Sequence, residues 1–141
     1  MKLLLDTAVL GQLCHPRKHA EVREWLWDAI AVHEPLVPEV ADYELRRELL
    51  RIRAGWSIRR LDELGRMLGY VPVSTPHWRL AAELWARQRA RGRPAASTAA
   101  LDADMLLAAQ ALSHDATVVT ANPRHFAELV EAMTWREVPS R

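Results

Sequence analysis

Residues 2 to 6 read Lys2-Leu3-Leu4-Leu5-Asp6. Three leucines in succession have no amphipathic period and are too few for a helix, so the stretch is expected to be a short buried strand. It ends on a carboxylate, which puts Asp6 at the strand's C-terminal end. In open α/β sheets, ligands bind in the crevice outside the carboxyl ends of the strands. An acid at that place therefore carries more weight than an acid elsewhere. Ala116 to Thr120 reads as a second, β-branched strand, and the segment from Thr120 to Asn122 qualifies for the same reason.

Between these two strands the pattern is largely helical. From His19 to Val32, Val22, Trp25, Leu26, Ala29 and Ile30 recur at the spacing of one helical stripe. His33-Glu34-Pro35 breaks that helix, and Leu36 and Val37 fit a brief strand. Pro38 then opens a helix with Ala41, Leu45, Leu49 and Ile52 on one face and Glu44 in its first half. Gly55 stops it, Ser57 is the expected cap of the next helix, and Ile58, Leu61, Leu64 and Leu68 line that one until Gly69. These two helices are expected to form a hairpin. Tyr70 to Val73 reads as a strand whose Pro72 argues for an edge position. Thr75-Pro76 starts a helix carrying Trp78, Ala81, Ala82 and Trp85. Gly92 to Ala100 reads as a small-residue loop, Asp102 to Leu112 as a helix, and Asn122-Pro123 as the start of a last helix bearing Phe126, Leu129, Val130 and Met133. Strands alternating with an excess of helices predict an α/β fold, a three-layer sandwich with a short, mostly parallel central sheet flanked by helices, built as a single domain over residues 1–141.

Composition narrows the function. With 141 residues, half of them apolar, the chain can bury a full core. Cys14 is the only cysteine, so no internal disulfide is possible and no zinc spacing surrounds it. No apolar stretch approaches the roughly 20 residues of a membrane span, and Asp6 interrupts the leucines before a signal-peptide core can form. A cytoplasmic protein with no membrane role is the expectation. A formal charge of +1 argues against coating nucleic acid by charge alone. Locally, though, arginines bunch at Arg46, Arg47, Arg51, Arg53, Arg59 and Arg60, and again from Arg87 to Arg93. The guanidinium fork suits phosphate, which makes Arg46, Arg47, Arg51, Arg59 and Arg60 candidate contacts for a phosphate backbone.

Four acids are candidates for one cluster: Asp6, Glu44, Asp102 and Asp104. Carboxylates that face one another repel and raise each other's pKa, so a cluster is tolerated at neutral pH chiefly with a cation between them. An oxygen-only site implies Mg2+ or Mn2+, ions that keep waters, bind phosphate oxygens and can activate a water for in-line attack on a phosphodiester. Residues two apart on a helix point about 200° from each other. Asp102 and Asp104 can therefore share a site only if Asp102 precedes the first full turn, where it could instead cap the helix. His15 and His19 have the spacing of helical metal ligands, but Pro16 spoils that geometry, and no His-Glu-x-x-His run exists. Trp25, Trp78 and Trp85 are expected in the core, while Trp27 and Trp56 fit those stripes less well and are candidates for an interaction surface.

Four blocks together resemble the successive motifs of the PIN-domain ribonucleases and, among them, VapC-like toxins: Leu3-Leu4-Leu5-Asp6-Thr7, Tyr43 to Leu49, Asp102 to Ala109, and Val118 to Phe126. Each block alone is weak, but their order and spacing span nearly the whole chain. The resemblance implies a parallel sheet flanked by helices, an Mg2+- or Mn2+-dependent endoribonuclease, a homodimer, and a cognate VapB-like antitoxin. It implies that Asp6, Glu44 and Asp104 bind metal, that Thr7 and Thr120 supply hydroxyls holding ligands or water, and that Asp102 is an additional catalytic acid. Its Tyr-Glu-Leu pattern selects Glu44 over Glu39, Asp42 and Glu48. Where many such domains carry a further acid, this chain has Asn122, an amide that offers an oxygen without charge. The rival reading is a PIN-like scaffold or RNA-binding module that acts through a protein partner without cleaving RNA. A phosphatase of the haloacid-dehalogenase type would want an Asp where Ala8 stands. A phosphoacceptor receiver domain would want a late lysine, and none follows Lys18.

Overall fold

A computed structural model describes residues 1–92 and 98–140. Its sheet has five strands, β1 (Lys2–Leu5), β2 (Glu34–Pro38), β3 (Gly69–Val71), β4 (Thr117–Val119) and β5 (Ala132–Met133), in the spatial order β3-β2-β1-β4-β5. Every pairing is parallel, so the sheet expected to be mostly parallel is wholly so. Parallel sheets are covered on both faces, and their strands read as continuous apolar runs. The three leucines of β1 are such a run: all are fully buried at the centre of the sheet.

Alternation assigns them to two cores. Leu3 and Leu5 pack on one side with Leu10, Leu26, Leu45 and Leu61, which come from α1 (Thr7–Leu13), α2 (Ala20–Val32), α3 (Glu39–Arg51) and α4 (Gly55–Met67). Leu4 packs on the other with Leu84 and Leu106, from α5 (Thr75–Ala90) and α6 (Thr98–Ser113). The three layers are those the sequence implied, and β3 lies at the edge as Pro72 suggested.

Several local expectations are corrected. α1 had not been expected. Asp6 creates it by accepting a hydrogen bond from the Thr7 amide, and Val9, Leu10 and Leu13 bury its inner face. Ser57 does not cap α4: the helix begins at Gly55, with Ala54 at the cap, and Ser57 is buried inside it. Ile52 lies past the end of α3 and is exposed. Ser74, not Thr75, caps α5, in a reciprocal pair with His77. His77, Ala81 and Leu84 form the buried stripe of that helix, whereas Trp78 and Trp85 face solvent. Trp25 is half-buried and packs against Trp135; Trp27 and Trp56 are exposed. The helix expected from Asn122 is a single 3-10 turn, Pro123–His125, after which the chain adds β5 to the sheet. Phe126 and Val130 are buried nonetheless. The expected loop from Gly92 to Ala100 lies largely outside the described residues, and α6 begins before Asp102.

Candidate active site

β1 is the point at which the sheet changes direction: β2 and β3 are added on one side of it, β4 and β5 on the other. Such a switch point opens a crevice at the carboxyl ends of the two diverging strands. Asp6 follows β1 there, its amide donating to the Val119 carbonyl at 3.0 Å, and buried Thr120 follows β4 beside it.

Both Asp6 oxygens are held. Oδ1 accepts from the Thr7 amide at 2.6 Å and Oδ2 from the Thr120 hydroxyl at 2.7 Å. Each oxygen keeps lone-pair capacity for a further partner. Thr120 is itself fixed, because its Oγ1 accepts from the Asn122 amide at 3.2 Å. Asn122 thus acts here through its backbone. Thr7 turns the other way: its hydroxyl donates to Glu44 Oε1 at 2.8 Å, joining α1 to α3. The remaining oxygen, Oε2, faces the Arg47 guanidinium at 4.0 Å.

Asp104 joins this group from α6. Burial pushes its carboxyl up to about 6, and the negative charges of Asp6 and Glu44 push in the same direction, against the opposing pull of His125. The His125 ring nitrogen Nδ1 stands 3.8 Å from Asp104 Oδ2. Three acids from β1, α3 and α6 therefore share one field. His125 had not been singled out as a site residue, although it lies in the block that carried the resemblance; the Asn122-Pro123 turn is what brings it to Asp104.

Asp102 is placed elsewhere. It is neither a cap nor a residue ahead of the first turn, since α6 begins at Thr98. Two residues from Asp104 on a regular helix, it points away from it and lines a groove of about 590 Å³ between α3, α5 and α6. Glu44 borders both that groove and the acid group.

The arginines separate in the same way. Arg46 donates to Asp42 at 2.9 Å and to Asp62 at 2.8 Å, which ties α3 to α4. Arg51 is engaged by Glu48, and Arg60 by Glu63 at 3.2 Å. Arg59 is exposed on α4. Arg47 is the one of the five that stands at the acids, with its guanidinium over the Tyr43 ring.

The donor set is made of hard carboxylate oxygens. Among the described residues, no three side chains of His, Cys, Asp or Glu stand close enough to grip an ion directly.

The family model for the PIN domain matches residues 3–131. The chain belongs to the PIN domain family. PIN domains are generally metal-dependent nucleases that use divalent ions, and the oxygen-only acid group suits that chemistry. Several solved structures have the same fold. One is VapBC2 from Rickettsia felis bound to a DNA fragment from its promoter, with a TM-score of 0.80, 17% identity, and coverage of 96% of this chain and 99% of that one. FitAcB from Neisseria gonorrhoeae gives 0.72 and 24%, over 96% and 99%. VapBC-5 from Mycobacterium tuberculosis, a member of the VapBC family of toxin-antitoxin systems, gives 0.63 and 23%, over 94% and 98%. No curated protein matches the sequence. No helix among the described residues is long and apolar enough to cross a membrane.

Proposed function

We propose that this PIN domain is an Mg2+- or Mn2+-dependent endoribonuclease that cleaves RNA phosphodiester bonds, and that it is the toxin of a VapBC-type pair. On this reading it acts in the cytoplasm as a homodimer and is silenced by a cognate VapB-like antitoxin. The observation that carries the nuclease reading is the place of Asp6 at the switch point, with Thr7 and Thr120 holding both its oxygens, Thr7 tying in Glu44, and Asp104 in the same field. Acids from three distant segments burden one another at the switch point of the sheet, a cost that a bound cation would turn into affinity. The fold shared with VapBC chains supports the toxin assignment.

Asp6, Asp104 and Glu44 would hold the ion, in part through its own waters because the three carboxylates do not close on one point, and when bound it would supply Lewis-acid chemistry, activating water and neutralising phosphate charge. The chain's own residues prepare that site. Thr120 and the Thr7 amide fix both Asp6 oxygens, so the carboxylate does not reorganise as charge develops. Thr7 orients Glu44 through Oε1. Burial and the charges of Asp6 and Glu44 push the Asp104 carboxyl up to about 6, and a bound cation would favour its ionised form. Arg47, 4.0 Å from Glu44, is placed where an RNA phosphate could be steered.

The test is RNA cleavage with Mg2+ or Mn2+ by wild type and Asp6→Asn. Ion-dependent cleavage by wild type alone is expected. Equal activity in both would reject the assignment, and no cleavage of any RNA would favour a scaffold that acts through a partner.

A further inference from the structure

The groove that borders Glu44 has a composition the acid group does not explain. Tyr43 and Trp78 both line it and are well exposed, at 60% and 58%. Val40, Val73 and Leu106 form apolar wall between them and the core. Aromatic rings left open to solvent in a concave, apolar setting of about 590 Å³ are platforms for flat ligands, and that volume lies within the usual range for small-molecule sites. The rim adds charge of one predominant sign. Among the described residues that line it, Glu39, Glu44 and Asp102 are acidic and Arg47 is the single base; Glu39 Oε1 is already engaged by the Val73 amide at 2.9 Å. A phosphate is repelled from such a groove, whereas a neutral ring bearing an amino group is welcome, because carboxylates accept from exocyclic amines.

From this we infer that the groove is a subsite for one unpaired nucleobase next to the scissile phosphate. The base stacks on Trp78 and Tyr43, its exocyclic amino group donates to Asp102, and its phosphate stays outside near Arg47. The inference rests on the ribonuclease reading for its position, since Glu44 borders both the groove and the acids. Two consequences follow for the substrate. The RNA is single-stranded at this place, because only an unstacked base can enter. Bases with an amino group (cytosine, adenine, guanine) are favoured over uracil, which offers carbonyl oxygens in its place.

The experiment is fluorescence anisotropy of labelled heptamers of cytidylate, adenylate and uridylate, titrated with the protein in EDTA so that binding is read without cleavage. The wild type is expected to bind the cytidylate and adenylate heptamers more tightly than uridylate. Trp78→Ala and Tyr43→Ala should each weaken that binding about tenfold, in keeping with the stacking of one base, and Trp78→Phe should restore most of it. Asp102→Asn should level the preference between cytidylate and uridylate. Both aromatic side chains are exposed, so the substitutions leave the core intact, which far-ultraviolet circular dichroism checks. Equal affinity for all three heptamers together with no effect of Trp78→Ala would overturn the subsite while leaving any ion-dependent cleavage standing. Failure of all three to bind would likewise overturn it and leave the groove to a protein partner. Selective, Trp78-dependent binding in a protein that cleaves no RNA would sustain the subsite and remove the nuclease reading instead.

Discussion

Replacing Asp104 with asparagine should stabilise the ion-free protein at neutral pH and do nothing at acid pH. The Asp104 carboxyl is raised from 3.8 to about 6, so the folded protein holds this proton more tightly than the unfolded chain does. Below pH about 4 both states are protonated and the residue costs nothing. Between about 4 and about 6 the unfolded chain ionises first and stability falls; above about 6 the full cost remains. A shift of about two units at about 1.36 kcal/mol each sets a ceiling of roughly 3 kcal/mol. About a third of the side chain is exposed, 32%, and solvent screening reduces the expected effect to about 1–2 kcal/mol. The neutral amide of an asparagine would carry no such penalty. The assay is urea unfolding in EDTA, followed by tryptophan fluorescence, at pH about 4 and about 7.5. Asp104→Asn should be more stable by about 1–2 kcal/mol at the higher pH and equal to wild type at the lower. Saturating Mg2+ should then reverse the ranking, because ligand at a hundredfold excess over its Kd adds about 2.7 kcal/mol to a state that binds it. A variant no more stable than wild type at pH about 7.5 would refute the convergence of buried negative charge on this carboxyl.

Thr120→Val should cost about 2 kcal/mol in the same unfolding assay, since it deletes a charge-assisted hydrogen bond to Asp6 and strands the Asn122 amide; it should also weaken Mn2+ binding about tenfold or more, and an unchanged midpoint would contradict the bond. Leu4→Ala, at a fully buried position in β1, should cost about 3 kcal/mol, while a loss below about 1 kcal/mol would place β1 away from the centre of the sheet. Arg46→Ala should cost about 1 kcal/mol by releasing Asp42 and Asp62 and leave RNA affinity nearly unchanged, whereas a large loss of RNA binding would return this arginine to the RNA contacts.

What could be read from the chain follows from how each element is stabilised. The run Leu3-Leu4-Leu5 announced a buried strand because both faces of β1 are covered, and Asp6 at its end pointed to the candidate site because strand termini meet at the switch point. α3 was legible through Ala41, Leu45 and Leu49, which keep one face over several turns. α1 was not, because seven residues give too short a window for periodicity; its signal is the Asp6-Thr7 cap, which was read as chemistry alone. β5 has two residues, Ala132 and Met133, neither β-branched. It is a strand because β4 pairs with it: the Val118 amide donates to Glu131 and the Thr120 amide to Met133, contacts that no local pattern encodes. In α5, the stripe of Trp78, Ala81, Ala82 and Trp85 suggested that both tryptophans lie inside. The buried positions instead go to His77, Ala81 and Leu84, and His77 sits within because its Nδ1 accepts from the Ser74 amide at 3.0 Å. Asp102 could share a site with Asp104, or cap the helix, only if it preceded the first turn, and α6 begins at Thr98, a full turn ahead of Asp102.

The most direct measurement is Mn2+ binding, followed by the loss of the free-ion signal in electron paramagnetic resonance, for wild type, Asp6→Asn, Glu44→Gln and Asp104→Asn. Wild type should bind the ion, with Asp6→Asn and Asp104→Asn each weakening it about tenfold or more and Glu44→Gln also reducing it. Wild-type protein that fails to bind Mn2+, or binds it no better than Asp6→Asn and Asp104→Asn do, would contradict a shared cation site at the ends of β1 and β4.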